Sequence, residues 1–209
     1  MLKIIVADDH PVVRQGLIQI LTSSFSSALI LGVPDGEQLL KLVTTEEWDL
    51  VISDISMPGI SGLEVLSEIR KCSPDIPVLL LSIYSEEIYA IRVMQAGASG
   101  FMNKDFSPED LISVVTRLLS GRKYVSQKMA DSLIDAMDAT GNRSAEHILS
   151  GREFEVLRHI GSGLAISQIA TRLSLGVTSI STYRSRILVK LNLHTTSDLI
   201  HYSIENGLA

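Results

Sequence analysis

Leu50-Val51-Ile52-Ser53-Asp54-Ile55-Ser56-Met57-Pro58-Gly59 sets one ionisable carboxylate between an apolar run and a turn. Leu50 to Ile52 reads as a short buried strand. Pro58-Gly59 marks a turn. Asp54 therefore stands at the carboxyl end of a strand, the edge of an open α/β sheet where ligands bind. A strand-end aspartate can also do no more than cap the turn that follows. The parts supplied elsewhere in the chain decide between these readings.

Outward from this stretch, strand and helix alternate. Lys3 to Ala7 reads as a buried strand ending at Asp8-Asp9-His10, and Pro11 suits the first turn of a helix. Leu29 to Leu31 is a second strand, followed by a helix over Glu37 to Val43. The Asp54 strand is third, with a helix opening at Ser61-Gly62. Pro77 to Leu81 is the fourth, ending at Ser82, with a helix over Glu86 to Ala96 closed by Gly97. Gly100 to Met102 is the fifth, ending at Asn103-Lys104, and Pro108 opens a last helix stopped by Gly121. Five such alternations predict a doubly wound, five-stranded parallel sheet of the flavodoxin-like α/β class.

In that sheet all strand ends gather at one edge. Asp8, Asp9 and Asp54 would crowd together, and three carboxylates in one place repel unless a cation neutralises them. Hard oxygen ligands suit Mg²⁺. A divalent ion beside a carboxylate sets up phosphoryl transfer, with the carboxylate as nucleophile. Lys104 could hold a phosphoryl oxygen as a point charge, and Ser82 could donate a hydrogen bond to another. His10 reads as a residue of the helix start rather than a ligand.

Asp8-Asp9, Asp54 with Met57-Pro58-Gly59, Ser82, and Lys104 after Ala96-Gly97-Ala98 closely resemble the receiver domain of two-component response regulators. The resemblance spans about residues 1–121. It implies that Asp54 accepts a phosphoryl group from a histidine kinase. It also implies that Asp8 or Asp9, Asp54 and the Ser56 carbonyl hold Mg²⁺. Ser82 and Phe101 match the family's hydroxyl and aromatic switch positions, and phosphate on Asp54 would draw both inward. Phe101 stands where tyrosine is frequent and brings no hydroxyl.

The 209 residues are 45% hydrophobic, enough for two cores. No apolar run reaches bilayer length, and the amino end is too short for a signal peptide's apolar region, so a cytoplasmic protein without a membrane partner is expected. The single cysteine, Cys72, excludes an intrachain disulfide framework. Charge is uneven. Residues 1–125 carry 10 Lys+Arg against 16 Asp+Glu, and residues 148–209 carry 6 against 4. An acidic front joined to a mildly basic tail places any polyanion partner at the tail. The divisions expected are 1–122, a linker over 123–146 and a second domain over 147–209. Met129, Leu133, Ile134 and Met137 recur at helical spacing within the linker, and Thr140-Gly141-Asn142 reads as flexible.

The second domain reads as all-α, with four helices. Ser150 with Glu153 forms a capping box signature. A short helix over Ile166 to Leu173, a turn at Ser174-Leu175-Gly176 and a longer helix to Leu191 are the parts of a helix-turn-helix. The longer helix would enter the DNA major groove. Ser179, Ser181, Thr182 and Ser185 can meet base edges or phosphates, Tyr183 can bond to the DNA backbone, and Arg184, Arg186 and Lys190 can neutralise phosphates. Leu149 to Leu157, Ile169-Ala170, Ser179 to Arg186 and Lys190-Leu191 resemble the LuxR-type DNA-binding domain. With the receiver in front, the chain resembles the NarL/FixJ-type response regulators. Ser181 and Tyr183 replace residues that are commonly lysine and histidine there, so the surface is less basic than many.

These features together predict a non-enzymatic regulator, phosphorylated on Asp54, that binds double-stranded promoter DNA as a homodimer. One alternative is a regulator set by a partner protein or ligand without phosphorylation. A Mg²⁺-dependent phosphatase is disfavoured because Ser56, not an acid, lies two residues after Asp54.

Overall fold

The computed structural model describes residues 1–84, 86–138 and 148–208. The described chain forms two compact units, the first ending at Asp138 and the second built from the helices after residue 150. Thr140-Gly141-Asn142 lie outside the described residues.

The first unit is a five-stranded parallel sheet in the order β2-β1-β3-β4-β5. Its strands are β1 (Lys3–Ala7), β2 (Leu29–Val33), β3 (Leu50–Asp54), β4 (Val78–Ser82) and β5 (Gly100–Asn103). The helices between and after them are α1 (Pro11–Ser24), α2 (Gly36–Thr45), α3 (Gly62–Cys72), α4 (Glu86–Gln95) and α5 (Pro108–Leu119). This is the doubly wound α/β arrangement that the alternation predicts. β2 runs two residues further than expected because Gly32 and Val33 pair with Val6 and Ala7.

Side-chain alternation explains the two layers. Ile4, Val6, Leu50, Ile52, Leu79, Leu81 and Met102 form one face of the sheet, packed with Leu17 and Leu21 of α1 and Leu111, Val115 and Leu118 of α5. The intervening residues Ile5, Val51, Leu80 and Phe101 face the other way and are equally buried. A sheet covered on both faces has no polar side, which is why β3 and β4 are buried at every position. Trp48, the only tryptophan, lies just before β3, with its Nε1–H donating to the Leu42 carbonyl and the Lys3 ammonium 5.9 Å from its ring.

Strand order reverses direction between β1 and β3. That topological switch opens a crevice at the carboxyl ends of these two strands. Register puts Ala7 beside Ser53 and Asp54 beside Leu81, so Asp8 and Asp54 flank the crevice. A sixth helix, α6 (Gln127–Asp138), follows and packs against α4. Met129 is fully buried, whereas Ile134 is exposed. The side chains of Leu133 and Met137 are not among those described.

Among the described residues the second unit has four α-helices: α7 (Gly151–Gly161), α8 (Ile166–Arg172), α9 (Val177–Leu191) and α10 (Thr196–Glu205). α7 is the centre, packing against α8, α9 and α10. The Ser150 side chain accepts from the Glu153 N–H and Glu153 accepts from the Ser150 N–H, completing the expected capping box. Phe154, Val156, Leu157 and Ile160 of α7 are buried, as are Ile169 of α8, Ile180 and Ile187 of α9 and Leu199 of α10. In the turn between α8 and α9, Ser174 takes the left-handed conformation at φ 52°, and Gly176 has extended backbone at the N-cap position of α9.

His159 is buried on α7. Burial, with Arg172 and Arg158 nearby, lowers its pKa to about 4. The unfolded chain takes up this proton near the ordinary value of 6.5 and the folded chain does not, so stability is lost as pH falls through that interval. Urea unfolding of the second unit should weaken by about 2 kcal/mol between pH 6.5 and pH 4.5, after allowance for solvent screening. His159→Gln should flatten that part of the profile.

Candidate functional site

The crevice between β1 and β3 is lined by Asp8, Asp9 and Asp54, with Lys104 arriving from the end of β5. Asp8 is fully buried and Asp54 is 4% exposed. Two buried carboxylates so close require a cation. Lys104 Nζ supplies it, lying 2.7 Å from Asp8 Oδ2 and 2.8 Å from Asp54 Oδ2. Residues separated by 96 positions in the chain thus share one hydrogen bond. Strand register explains it: the Lys104 N–H donates to the Ser82 carbonyl at 2.7 Å, which holds the lysine backbone against the end of β4.

Charge balance remains acidic. Asp9 is half-buried, and its Oδ1 lies 2.8 Å from His10 Nδ1. The His10 N–H donates to Asp8 Oδ1 at 2.8 Å, so the residue that opens α1 also fixes the Asp8 carboxylate. Asp8, Asp9, His10 and Asp54 each offer one ligand atom, all within 4.8 Å of one another. Three carboxylates facing one ammonium form an oxygen-rich pocket suited to a hard divalent cation.

Burial pushes the Asp54 carboxyl above its ordinary value. Lys104 pulls in the opposite direction, Asp8 adds to the rise, and the net direction is up. Burial alone would lower Lys104, but Asp54 and Asp8 outweigh it and the ammonium is held above its usual range. Lys104 is therefore charged at neutral pH. Asp54 Oδ1 accepts from the Ser56 N–H at 3.3 Å. That bond turns the chain so that Ser56 sits at the crevice, with its Oγ buried and unbonded among the described residues.

Ser82 lies at the end of the neighbouring strand, and its Oγ accepts from the Tyr84 N–H at 3.1 Å. The Phe101 ring is fully buried. Alternation along β5 turns it beneath α4, where the Tyr89 ring stacks on it at 6.3 Å and 17°, and Tyr84 stacks on Tyr89 at 5.9 Å. This aromatic row is absent from the sequence reading. Tyr84, two residues past Ser82, and Tyr89 within the expected helix were its available signals.

In the second unit, α8, the Ser174 turn and α9 form the helix-turn-helix. Ser179, Ser181, Thr182, Ser185 and Arg186 lie exposed on α9, while Ile180, Ile187 and Leu191 face the core. Ser181, Thr182 and Ser185 donate their hydroxyl protons to carbonyls four residues back. Tyr183 and Arg184 are half-buried. Arg184 Nε donates to Thr196 Oγ1 at 2.8 Å, and Lys190 Nζ lies 2.7 Å from the buried Glu153 carboxylate. Of the three cations expected to meet phosphates, these two are engaged within the fold, whereas Arg186 is exposed on α9.

Comparison with known proteins follows the same division. Residues 4–116 match the family described as the response regulator receiver domain, and residues 147–203 match the bacterial regulatory proteins of the luxR family. The chain is 31% identical to the response regulator UvrY of Escherichia coli strain K12, covering all of this chain and 96% of that protein. It is 34% identical to the oxygen regulatory protein NreC of Staphylococcus carnosus, covering 99% of each. Among solved structures, the response regulator ChrA of a heme-sensing two-component system aligns over all of this chain and 98% of its own, at 28% identity and a TM-score of 0.51. RcsB from Salmonella enterica serovar Typhimurium, bound to promoter rprA with the phosphomimetic BeF3⁻, shares the fold at a TM-score of 0.62 and 23% identity, over 96% of this chain and 97% of its own.

The bridge makes opposed stability effects measurable. Lys104→Ala leaves two buried carboxylates uncompensated and should cost about 3 kcal/mol at pH 7.5 in chelating buffer. Asp54→Asn should instead raise the melting temperature there. A carboxyl whose folded pKa is raised disfavours the folded state once pH passes above the unfolded value, and asparagine removes that burden. Urea and thermal unfolding of the two variants test both signs.

Proposed function

The chain belongs to the two-component response regulators that join a receiver domain to a LuxR-type helix-turn-helix, and from that premise we propose that phosphorylation of Asp54 controls its binding to promoter DNA. The observation that carries this reading is the Lys104 ammonium set between Asp8 and Asp54 at 2.7 and 2.8 Å. It supports a pocket where one carboxylate reacts and a positive charge waits for a new anion. The proposed divisions are a receiver over 1–122, a linker over 123–146 and the DNA-binding domain over 147–209.

The phosphoryl donor is a phosphohistidine of a histidine kinase. An Asp54 carboxylate oxygen attacks the phosphorus, the phosphorus–nitrogen bond breaks, and the imidazole leaves with the electron pair and takes up a proton. Lys104 exchanges its contact with Asp54 for one phosphoryl oxygen, and keeps Asp8. The Ser82 hydroxyl turns from the Tyr84 N–H to donate to another phosphoryl oxygen. Asp8, Asp9, Asp54 and the Ser56 carbonyl would hold Mg²⁺, which offsets charge on the transferring group. With Ser82 drawn in, the turn bearing Tyr84 shifts, and the row Tyr84–Tyr89–Phe101 carries that shift to α4. Phe101 thus acts at the switch position as the packing partner of Tyr89.

The second unit reads DNA by laying α9 in the major groove. Ser179, Ser181, Thr182 and Ser185 face base edges or phosphates, Tyr183 and Arg184 flank them, and Arg186 and Lys190 approach the backbone. So few cations support a homodimer on two half-sites as the binding species. The protein acts in the cytoplasm and takes up one phosphoryl group per chain rather than turning over a substrate.

Incubation with acetyl phosphate and Mg²⁺ should add one phosphoryl mass at Asp54 and strengthen promoter retention in a gel shift. Asp54→Asn should abolish both. Retention of unchanged strength in that variant would favour a regulator set by another partner.

Weak electrostatics makes a second test. Each phosphate neutralised contributes about 0.9 to the slope of log affinity against log salt. Arg186→Ala should lower that slope by about 1 per half-site. Ser181→Lys should raise it by a similar amount.

A further inference from the structure

Two glycines hold the loop behind Asp54. Gly36 and Gly62 are the first residues of α2 and α3, directly after the capping residues Asp35 and Ser61. Neither has a positive φ, so backbone shape requires glycine at neither position. Space requires it. A Cβ on Gly62 would lie 2.1 Å from the Asp54 carbonyl oxygen, 2.9 Å from Ile55 Cα and 3.0 Å from the Asp54 carbonyl carbon. These are backbone atoms of the strand end itself, and no change of rotamer relieves them. The Gly62 N–H also donates to the Ile55 carbonyl at 2.9 Å, so α3 is bonded to the strand it crowds.

Gly36 closes on the other end of the same loop. Its Cβ would lie 2.6 Å from the Ile60 carbonyl oxygen and 2.7 Å from Val65 Cγ2. The Ile55–Ser61 loop is therefore gripped between the starts of two helices, each able to approach because one side chain is missing. Gly16 supplies the contrast. It lies within α1, and a Cβ there would meet nothing within 4 Å.

We propose that Gly36 and Gly62 are positioning residues for phosphoryl uptake: by letting α2 and α3 close on the Ile55–Ser61 loop, they fix the Asp54 carboxylate against Asp8 and Lys104. This rests on the reading of Asp54 as phosphoacceptor. The tolerance is narrow. Lys104 reaches Asp8 and Asp54 at ordinary hydrogen-bond lengths with no slack. A displacement of about 1 Å at reacting groups costs on the order of 10²-fold in rate.

The test uses the full chain with acetyl phosphate and Mg²⁺. It follows the rate of mass gain at Asp54, the fluorine NMR signal of the beryllofluoride adduct, and the melting temperature. Gly62→Ala should still melt cooperatively, take up phosphoryl at least about tenfold more slowly, and show a displaced or missing fluorine resonance. Gly36→Ala should shift rate and resonance the same way by a smaller factor. Gly16→Ala should melt higher than the wild type, because alanine suits a helix interior, and keep its rate and resonance. If Gly62→Ala does not fold, Gly36→Ala decides the matter; if neither folds, the glycines are structural and the proposal falls. Labelled wild type with equally fast Gly62→Ala and an unmoved resonance overturns the proposal alone. Wild type that gains no phosphoryl group overturns the phosphoacceptor reading, and the proposal with it.

Discussion

One ammonium carries the electrostatics of the first unit. Lys104 sits between two carboxylates that burial would otherwise make untenable, and each of the three comes from a different strand end. The sheet order β2-β1-β3-β4-β5 brings those ends together. A buried pair of this kind is a poor source of stability, because desolvation offsets much of the attraction. Its value lies in being displaceable. A group that bears negative charge and enters the crevice competes for Lys104, and the protein feels the competition at Asp8, Asp54 and the end of β5 at once. The fold thus places a strained charge balance where a ligand can relieve it.

Much of this was legible in the chain. Alternating strands and helices gave the sheet because apolar runs such as Val78–Leu81 are long enough to be buried on both faces, and the strand-end residues Asp8, Asp9, Asp54, Ser82 and Lys104 could be assigned to one edge from topology alone. Packing decided what was not legible. The buried place of Phe101 follows from strand alternation together with Tyr89, which approaches from α4. The charges of Arg184 and Lys190 are visible in sequence, whereas their partners within the fold, Thr196 and Glu153, are set by how α9 lies on its neighbours. Ser174, a residue with a side chain, takes the left-handed position of the turn between α8 and α9. For the ring and the two cations, the contact joins different elements.

The second unit divides its labour within single helices. α9 buries Ile180, Ile187 and Leu191 and turns small hydroxyl residues outward, so its packing and its outer surface occupy different faces. α7 is the opposite, buried almost all round, even at Arg152 and Glu155, which pair at 2.6 Å. Such a core holds α9 from behind, drawing on Lys190 and Arg184 of that helix through Glu153 and Thr196. The exposed positions Ser179, Ser181, Thr182 and Ser185 are in contrast free to vary in composition at little cost in stability.

Trp48 gives the molecule an optical property of its own. It is the sole indole of the chain, and it belongs to the first unit, fastened to Leu42 and lying beside Lys3. Indole emission consequently reports the loosening of the sheet domain and leaves the helical domain dark. Paired with far-ultraviolet dichroism, which sees both, it separates the two melting events in an unlabelled sample.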